Sequence, residues 1–208
     1  LNATQVGKDN SQAIVIINDY SVLAGTQGFF HHKKLDRMCD LANETKNPVI
    51  MFTEGGGGRP ADTDVSTQIA GLNITSFTGW ARLTGHSLRI AINNGYCFAG
   101  NAALYGASDF CIATKSSWIG MAGPAMIEGG GLGVHAPKDI GPADMHYKNG
   151  YLDYLAQDEE DATNYAKKLL SYFQGNTDNW TVKDQNSLRE IIPNDRRMGF
   201  PVRNVIET

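Results

Sequence analysis

The stretch Ala91-Ile-Asn-Asn-Gly-Tyr-Cys-Phe-Ala-Gly-Asn-Ala-Ala-Leu-Tyr-Gly-Ala-Ser-Asp-Phe-Cys-Ile-Ala113 decides the fold of this chain. An apolar strand, Leu88 to Ile92, leads to a turn of small residues, Ala99-Gly100-Asn101, which is followed by a helix and by a second strand, Phe110 to Ala113. In a strand–turn–helix, the free N–H groups that start the helix carry partial positive charge and suit an oxyanion. A tight turn that needs small residues only for packing is the alternative, and this stretch alone leaves both interpretations open.

The composition is that of an ordinary globular protein with one domain. The chain has 208 residues, of which 41% are hydrophobic and 19% are charged, so it can bury one core, and two would be cramped. The net charge of −4 gives no broad attraction for nucleic acid or an anionic membrane, although a local basic patch stays open. No apolar run approaches the length of a membrane span. We therefore expect neither a nucleic-acid partner nor a membrane.

The cysteines indicate a reducing compartment. Cys39, Cys97 and Cys111 are odd in number, lie in apolar surroundings and lack paired spacing. This pattern is typical of buried thiols rather than of a disulfide framework, and it predicts a cytoplasmic protein. No signal peptide is visible, and the chain begins at Leu1, which is consistent with a piece of a longer polypeptide.

Glycine is frequent, with 23 residues, and it is clustered. One cluster is Gly55–Gly58 and another is Gly129–Gly131, with Gly100 between them. Clustered glycine marks a backbone that turns sharply or approaches a ligand closely. Since each cluster follows a strand-like apolar run, site loops are favoured over low complexity.

The order of apolar segments indicates a repeated strand–strand–helix unit. Ala13–Asn18 and Tyr20–Ala24 are expected strands, and Phe30–Glu44 has helical spacing. Pro48–Phe52 is a buried strand that runs into the first glycine cluster, and Thr67–Leu83 is expected to be a helix.

The last part of the chain differs from the rest in its charge order and composition. Asp158–Asp161 starts a helix whose later turns carry Lys167 and Lys168, an order of charges that suits the helix dipole on a solvated face. After Gln174 the sequence becomes polar and irregular, and Leu188–Thr208 is interpreted as a linker with a short helix.

The opening stretch resembles the second signature of the crotonase superfamily, Asn-Gly-Tyr-Ala-Leu-Gly-Gly-Gly-Cys-Glu-Leu followed by a Cys-Asp-Ile strand. The resemblance implies an α/β fold, the crotonase/ClpP-like spiral of ββα units, as a single domain over residues 1–174. It also implies that Gly100 donates its N–H to an oxyanion. Ala99 stands where carboxyltransferases of the superfamily have glycine, and it keeps its N–H, so Ala99 and Gly100 are the candidate catalytic residues.

Other segments are similar to the N-terminal half of the β-subunit carboxyltransferase of biotin-dependent acyl-CoA carboxylases. The resemblance covers nearly the whole chain, in order. The segments that carry it are Asp19–Gly28, Glu54–Arg59, Ser117–Pro124, Leu169–Phe173, Leu188–Pro193 and Phe200–Glu207.

That family transfers CO2 from carboxybiotin to the α-carbon of an acyl-CoA, through an enolate held by backbone donors. The resemblance implies that this chain is the acyl-CoA half, with biotin carried on a partner domain or subunit and no metal in this chain. Expected partners are acyl-CoA, the biotin carboxyl carrier and biotin carboxylase components, a second crotonase-like half that residues 175–208 would lead into, and further copies of the chain in a homo-oligomer. The implied substrate-binding residues are Gly55, Gly56, Gly57, Gly58, Arg59, Phe98, Gly123 and Pro124.

Some departures from the family pattern narrow the function. The positions of the two hydratase glutamates hold Ala103 and Gly123, so the acid–base pair for adding water is absent. The extra glycine in Gly55–Gly58 leaves open which glycine faces the ligand. The alternative functions are a non-catalytic CoA-binding or assembly scaffold, and a decarboxylase of a malonyl-type CoA on the same fold.

Four further features have competing interpretations. Gly131-Leu-Gly-Val-His-Ala136 fits a dinucleotide motif, but no β-branched strand precedes it, so a substrate-lining loop is favoured. His31-His32 lacks partners at ligand spacing, which favours a polar helix start over a metal site. His135 and His146 are expected on the surface, with active-site lining as the alternative. Arg59 would meet either a CoA phosphate or a carboxylate such as Asp62 or Asp64.

Overall fold

Of the seven strands in the described residues, five form one parallel sheet. The strands are β1 (Ile14–Ile17), β2 (Val49–Phe52), β3 (Arg89–Asn93), β4 (Tyr96–Phe98), β5 (Phe110–Thr114), β6 (Trp118–Gly120) and β7 (Tyr154–Ala156). The computed structural model that shows them describes residues 11–59, 74–175 and 181–207. The order in the main sheet is β1-β2-β3-β5-β7, and every neighbouring pair is parallel. The inner strands are continuous apolar runs because helices and loops cover both faces.

A second, smaller layer lies beside the carboxyl ends of the main strands. Its strands β4 and β6 pair in parallel. Two isolated bridges extend it, one between Gly55 and Cys97 and one between Gln27 and Gly58. Each of the first four main strands is therefore followed by a strand or a bridge residue of the second layer.

Helices complete each unit. Those of the first part of the chain are α1 (Phe29–Thr45), α2 (Ser76–Arg82), α3 (Gly100–Gly106), α4 (Pro124–Gly129), α5 (Ala143–Lys148) and α6 (Glu159–Ser171). Main strand, second-layer residue and helix recur in this order, which confirms the expected spiral of ββα units. Asp158 caps α6 by accepting a hydrogen bond from the Asp161 N–H at 2.9 Å, as its sequence pattern predicts.

The inner strands of the main sheet are buried on both faces, whereas Val15 and Ile17 of the edge strand β1 are 54% and 69% exposed. On one face Val49 and Met51 pack with Trp80 of α2 and with residues of α1. On the other face, Ile92 and Ile112 pack against α6. This packing on the two faces of the sheet holds β2 and β3 in place, and with them the start of the loop that follows each strand.

One expected strand is wrong. Tyr20–Ala24 is a turn that ends in a short 3₁₀ helix, Leu23–Gly25. The Asp19 carboxylate accepts hydrogen bonds from the Ser21 N–H at 2.9 Å and from its hydroxyl at 2.6 Å, and this local turn replaces strand pairing. Leu23 and Ala24 then adopt positive φ angles, which no strand has.

Two expected helices are found with shifted bounds. The helix expected over Phe30–Glu44 is α1, and its bounds are one residue wider at each end. The helix expected over Thr67–Leu83 corresponds to α2, Ser76–Arg82, and residues 60–73 lie outside the described residues.

The chain divides into two units, Leu1–Gln174 and Gly175–Thr208. In the described part of the second unit, two short helices are present, α7 (Leu188–Ile191) and α8 (Val202–Ile206), where the composition predicted one.

The cysteines are buried thiols, as expected. Burial raises the pKa of both Cys39 and Cys111 to about 12, so neither is a thiolate near neutral pH. Cytoplasmic location stays a prediction. Among the residues described, no helix is both long enough and apolar enough to cross a membrane.

Candidate active site at the Ala99–Gly100 elbow

The chain turns sharply at Ala99, between β4 and α3. Ala99 has φ 50° and ψ −119°, a conformation that an L-residue adopts only under strain. Its N–H donates to the Gly120 carbonyl at 3.0 Å, which fastens the turn to the end of β6. The expected role of Ala99 as an N–H donor to a ligand is therefore corrected, because this N–H is already engaged. Ala99 shapes the turn instead.

Gly100 follows as the first residue of α3, and its N–H has no partner in the described part of the chain. Its neighbours leave no space for a side chain. A Cβ on Gly100 would lie 2.5 Å from Gln27 Oε1 and 3.2 Å from Phe77 Cζ. Glycine is thus required here by close approach, and its N–H stays the candidate donor to an oxyanion.

The loop of four glycines lies directly against this elbow. Gly57 has φ +89°, and a Cβ on it would lie 2.6 Å from the Cβ of Ala99 and 3.3 Å from the N atom of Gly100. The structure therefore brings Gly57, Ala99 and Gly100 together.

The N–H groups of this loop show which glycine can still meet a ligand. The N–H of Gly55 donates to Tyr96 O at 2.8 Å, and the N–H of Gly56 donates to Ala24 O at 3.1 Å. Gly57 donates to Asn101 Oδ1 at 3.0 Å. Gly58 is exposed, and within the described ranges its N–H has no partner and no heavy atom lies within 4 Å of its Cβ position. Of the four, Gly58 is the glycine whose N–H is free for a ligand.

Asn101 is a residue of this site that sequence reasoning missed. Its side chain is buried just after the elbow. Oδ1 accepts from Gly57, while Nδ2 donates to Thr53 O at 3.1 Å and lies 3.4 Å from both Gly25 O and Glu54 O. One amide thereby holds the glycine loop against α3. A lone amide among small residues, directly after Ala99-Gly100, is the signal that could have identified it.

Phe98, Gly123 and Pro124 also lie at this site. The Phe98 ring is buried, and its Cδ1 atom lies 3.6 Å from the position of a Cβ on Gly120. Its Cδ2 atom lies 3.7 Å from the corresponding position on Gly123. Gly123 caps α4, and Pro124 is its first residue. The ring of Phe98 thus connects the elbow to the start of α4.

Arg59 ends the glycine loop. Its N–H donates to Gln27 O at 2.9 Å. Its charge acts on α1, where burial lowers the pKa of His31 to about 4, and the charges of His32 and Arg59 add to this effect. The carboxylates expected as alternative partners, Asp62 and Asp64, lie outside the described residues.

The rings of His32, His135 and His146 contact polar atoms of the chain. His32 Nδ1 lies 2.9 Å from Ser76 Oγ, which joins α1 to α2. His146 Nε2 lies 2.8 Å from Ile119 O, while His135 is exposed, with its Nε2 3.2 Å from Leu132 O. Over residues 11–59, 74–175 and 181–207, no group of three or more potential ligands could hold a metal ion.

The stretch Gly131–Ala136 does not have the context of a dinucleotide site. It follows helix α4, whereas a dinucleotide-binding glycine motif follows a strand and begins a helix. Leu132 and Val134 of this stretch are 74% and 80% exposed.

Comparison with known proteins identifies the family. The model of the family described as Carboxyl transferase domain matches residues 4–208. The 12S subunit of methylmalonyl-CoA carboxyltransferase from Propionibacterium freudenreichii subsp. shermanii is 31% identical over 198 residues. That alignment covers 90% of this chain and 37% of the relative. The chain thus spans little more than a third of the length of this curated relative.

Solved structures that resemble this chain support the same family assignment. A single-chain, multi-domain long-chain acyl-CoA carboxylase matches 100% of this chain with a TM-score of 0.84 and 46% identity, over 20% of its own length. The transcarboxylase 12S hexamer assembly with hydrolysed methylmalonyl-CoA bound matches 90% of this chain with a TM-score of 0.71 and 29% identity, over 38% of its own length. With its ββα spiral and its elbow, this chain belongs to the carboxyl transferase domain family.

Proposed function

We propose that this chain forms the acyl-CoA side of a carboxyltransferase site, which transfers CO2 from a biotin carrier to the α-carbon of an acyl-CoA. Family membership supports the reaction class. The observation that carries the proposal is the elbow, where the strained Ala99 presents the Gly100 N–H, unpaired among the described residues, beside the glycine loop.

The chemistry requires the stabilisation of one negative charge. Loss of the α-proton from an acyl-CoA gives an enolate, whose charge resides largely on the thioester oxygen. The Gly100 N–H is the donor for this oxygen. By comparison with other oxyanion holes, one such donor is worth about 3 kcal/mol of transition-state stabilisation.

The protein binds and orients the acyl-CoA. The biotin group, carried on another domain or subunit, would supply the CO2 and accept the α-proton. Ala103 and Gly123 provide no acid or base for hydration. The acyl group would lie near Phe98, Gly123 and Pro124, and the pantetheine would pass the exposed Gly58. A CoA phosphate would meet Arg59 at the end of this loop.

Calorimetry tests the proposal. We expect an acyl-CoA to bind more tightly than a free adenine nucleotide, because only the acyl-CoA carries the thioester oxygen. Gly100→Ala should weaken thioester binding, since its Cβ would displace the groups around the N–H. Gly129→Ala is the matched control, because no heavy atom within 4 Å would meet its Cβ and its φ is not positive. Equal or absent affinity for acyl-CoA and adenine nucleotide would show that the elbow is no thioester site.

A further inference from the structure

Gln27 is a buried glutamine that the proposed mechanism does not yet use. Only 2% of its surface is exposed. Its backbone is held at both ends by the glycine loop, because its N–H donates to Gly57 O at 2.7 Å and its carbonyl accepts from the Arg59 N–H at 2.9 Å. The same loop that packs on the elbow therefore fixes the backbone position from which the Gln27 side chain starts.

The amide of Gln27 lies against Gly100. Oε1 is 2.5 Å and the amide carbon is 3.2 Å from the position of a Cβ on Gly100. In the described part of the chain, Nε2 is buried and has no hydrogen-bond partner. A buried donor without a partner destabilises the folded state, and such groups are rare in folded proteins. A side chain of leucine or methionine would fill this space without that cost.

We propose that Gln27 Nε2 donates a hydrogen bond to the thioester oxygen of a bound acyl-CoA, as a side-chain donor beside the Gly100 N–H. This inference rests on the proposed function, since it assigns a second contact to the same oxygen. The donor is preorganised because the backbone of Gln27 is clamped, so little freedom is lost when the ligand binds. The unpaired state of Nε2 in the free chain is then explained by the ligand that completes it.

The test compares Gln27→Met with the unchanged chain in binding two ligands. One is an acyl-CoA, and the other is the matched thioether, in which a methylene replaces the carbonyl. Loss of one hydrogen bond of about 1 kcal/mol corresponds to about fivefold in affinity. We expect Gln27→Met to weaken acyl-CoA binding about fivefold or more and to leave thioether binding unchanged. Its melting temperature should not fall, because Nε2 has no hydrogen-bond partner among the described residues.

Gln12→Met is the matched control, since Gln12 is exposed and distant in sequence from the elbow loops. It should leave the affinities for both ligands unchanged. If the unchanged chain does not prefer the thioester over the thioether, the proposed function fails. If it does prefer the thioester and Gln27→Met keeps that preference, Gln27 is no donor, while the proposed function stands.

A second measurement tests the proposal even if the Gln27→Met chain does not fold. In the unchanged chain labelled with ¹⁵N, the side-chain NH₂ signal of Gln27 should move on addition of acyl-CoA and stay in place on addition of the thioether. An acyl-CoA that binds without moving this signal would overturn the assignment of Nε2 as a donor.

Discussion

At the scale of single residues, the site depends on positions where a side chain is sterically forbidden. Gly57 has a positive φ, and its Cβ position lies 2.6 Å from the Cβ of Ala99. We expect Gly57→Ala to lower the free energy of unfolding by about 1–3 kcal/mol, from backbone strain and overpacking together. Denaturant titration measures this, with Gly129→Ala as the open-space comparison. An equal effect of the two substitutions would mean that the loop does not pack on the elbow as described.

The burial of His31 allows us to predict how the free energy of unfolding depends on pH. Its Nε2 lies 3.1 Å from Asn18 Oδ1, while its buried Nδ1 has no partner in the residues described. Burial, with the charges of His32 and Arg59, lowers the pKa of His31 from 6.5 to about 4, so the folded state holds the ring neutral. Below pH 6.5 the unfolded chain binds the proton more readily, so stability is lost as pH falls from 6.5 towards 4.

His31→Gln should reduce this loss, because glutamine does not titrate. The measurement is the melting temperature of both chains at pH 7.5 and pH 5. His32, whose pKa burial also lowers, should retain part of the pH dependence in the variant. If the two chains lose the same number of degrees on acidification, His31 is not the group responsible.

At the scale of elements, the sequence predicts the parts that have clear periodicity. The main strands β2, β3 and β5 are continuous apolar runs, and α1 and α6 show helical spacing or charge order, so their bounds are predicted within one or two residues. The second layer is harder to predict, because Gly55 and Gln27 join it as single bridge residues with no alternation around them. The strand predicted over Tyr20–Ala24 was wrong because the turn that Asp19 stabilises overrides the apolar composition of this segment.

The candidate site was predictable in its backbone and less so in its side chains. Glycine clustering located the loop and the elbow. It could not show that Ala99 has its N–H bound to Gly120, nor that Gly58 is the glycine left unpaired, because both depend on pairing across the second layer. Gln27 and Asn101 were missed because their burial follows from contacts between segments more than 25 residues apart in sequence.

Asn101 links the elements that carry the site. Asn101→Asp replaces the Nδ2 donor with an oxygen that would face the carbonyls of Thr53, Gly25 and Glu54. We expect a loss of several kcal/mol of stability, since a buried charge gains no donors there and three carbonyls lose theirs. Asn43→Asp on the exposed face of α1 is the control and should change stability by less than about 0.5 kcal/mol.

Thermal unfolding at pH 7 compares the two aspartate variants. Hydrogen exchange adds a local readout, because the Gly57 N–H should exchange faster in Asn101→Ala, where its acceptor is gone. Unchanged protection of Gly57 would contradict the role of Asn101 as the link between the loop and α3.

At the scale of the whole molecule, four exposed apolar side chains lie close in sequence to the site. Met121, Met126, Leu132 and Val134 lie on and after the segment that holds Gly123 and Pro124, and all four are more than 60% exposed. We expect the second crotonase-like half of the proposed carboxyltransferase to pack against this segment, because that packing would bury these apolar side chains.

The last prediction concerns carboxyltransferase activity. It follows from these exposed apolar side chains and from the share of the 12S relative that the chain covers. The chain spans 37% of the length of its 12S relative. A carboxyltransferase must hold biotin and acyl-CoA in contact, because proximity supplies much of its rate. We expect the 208-residue chain alone to bind acyl-CoA and to transfer no CO2 to it from carboxybiotin, whereas a polypeptide extended by a second crotonase-like half should do so. Incorporation of labelled CO2 into acyl-CoA measures both, and Gly100→Ala in the extended polypeptide should abolish it. Full transfer by the 208-residue chain with no partner present would show that its site is complete without a second half.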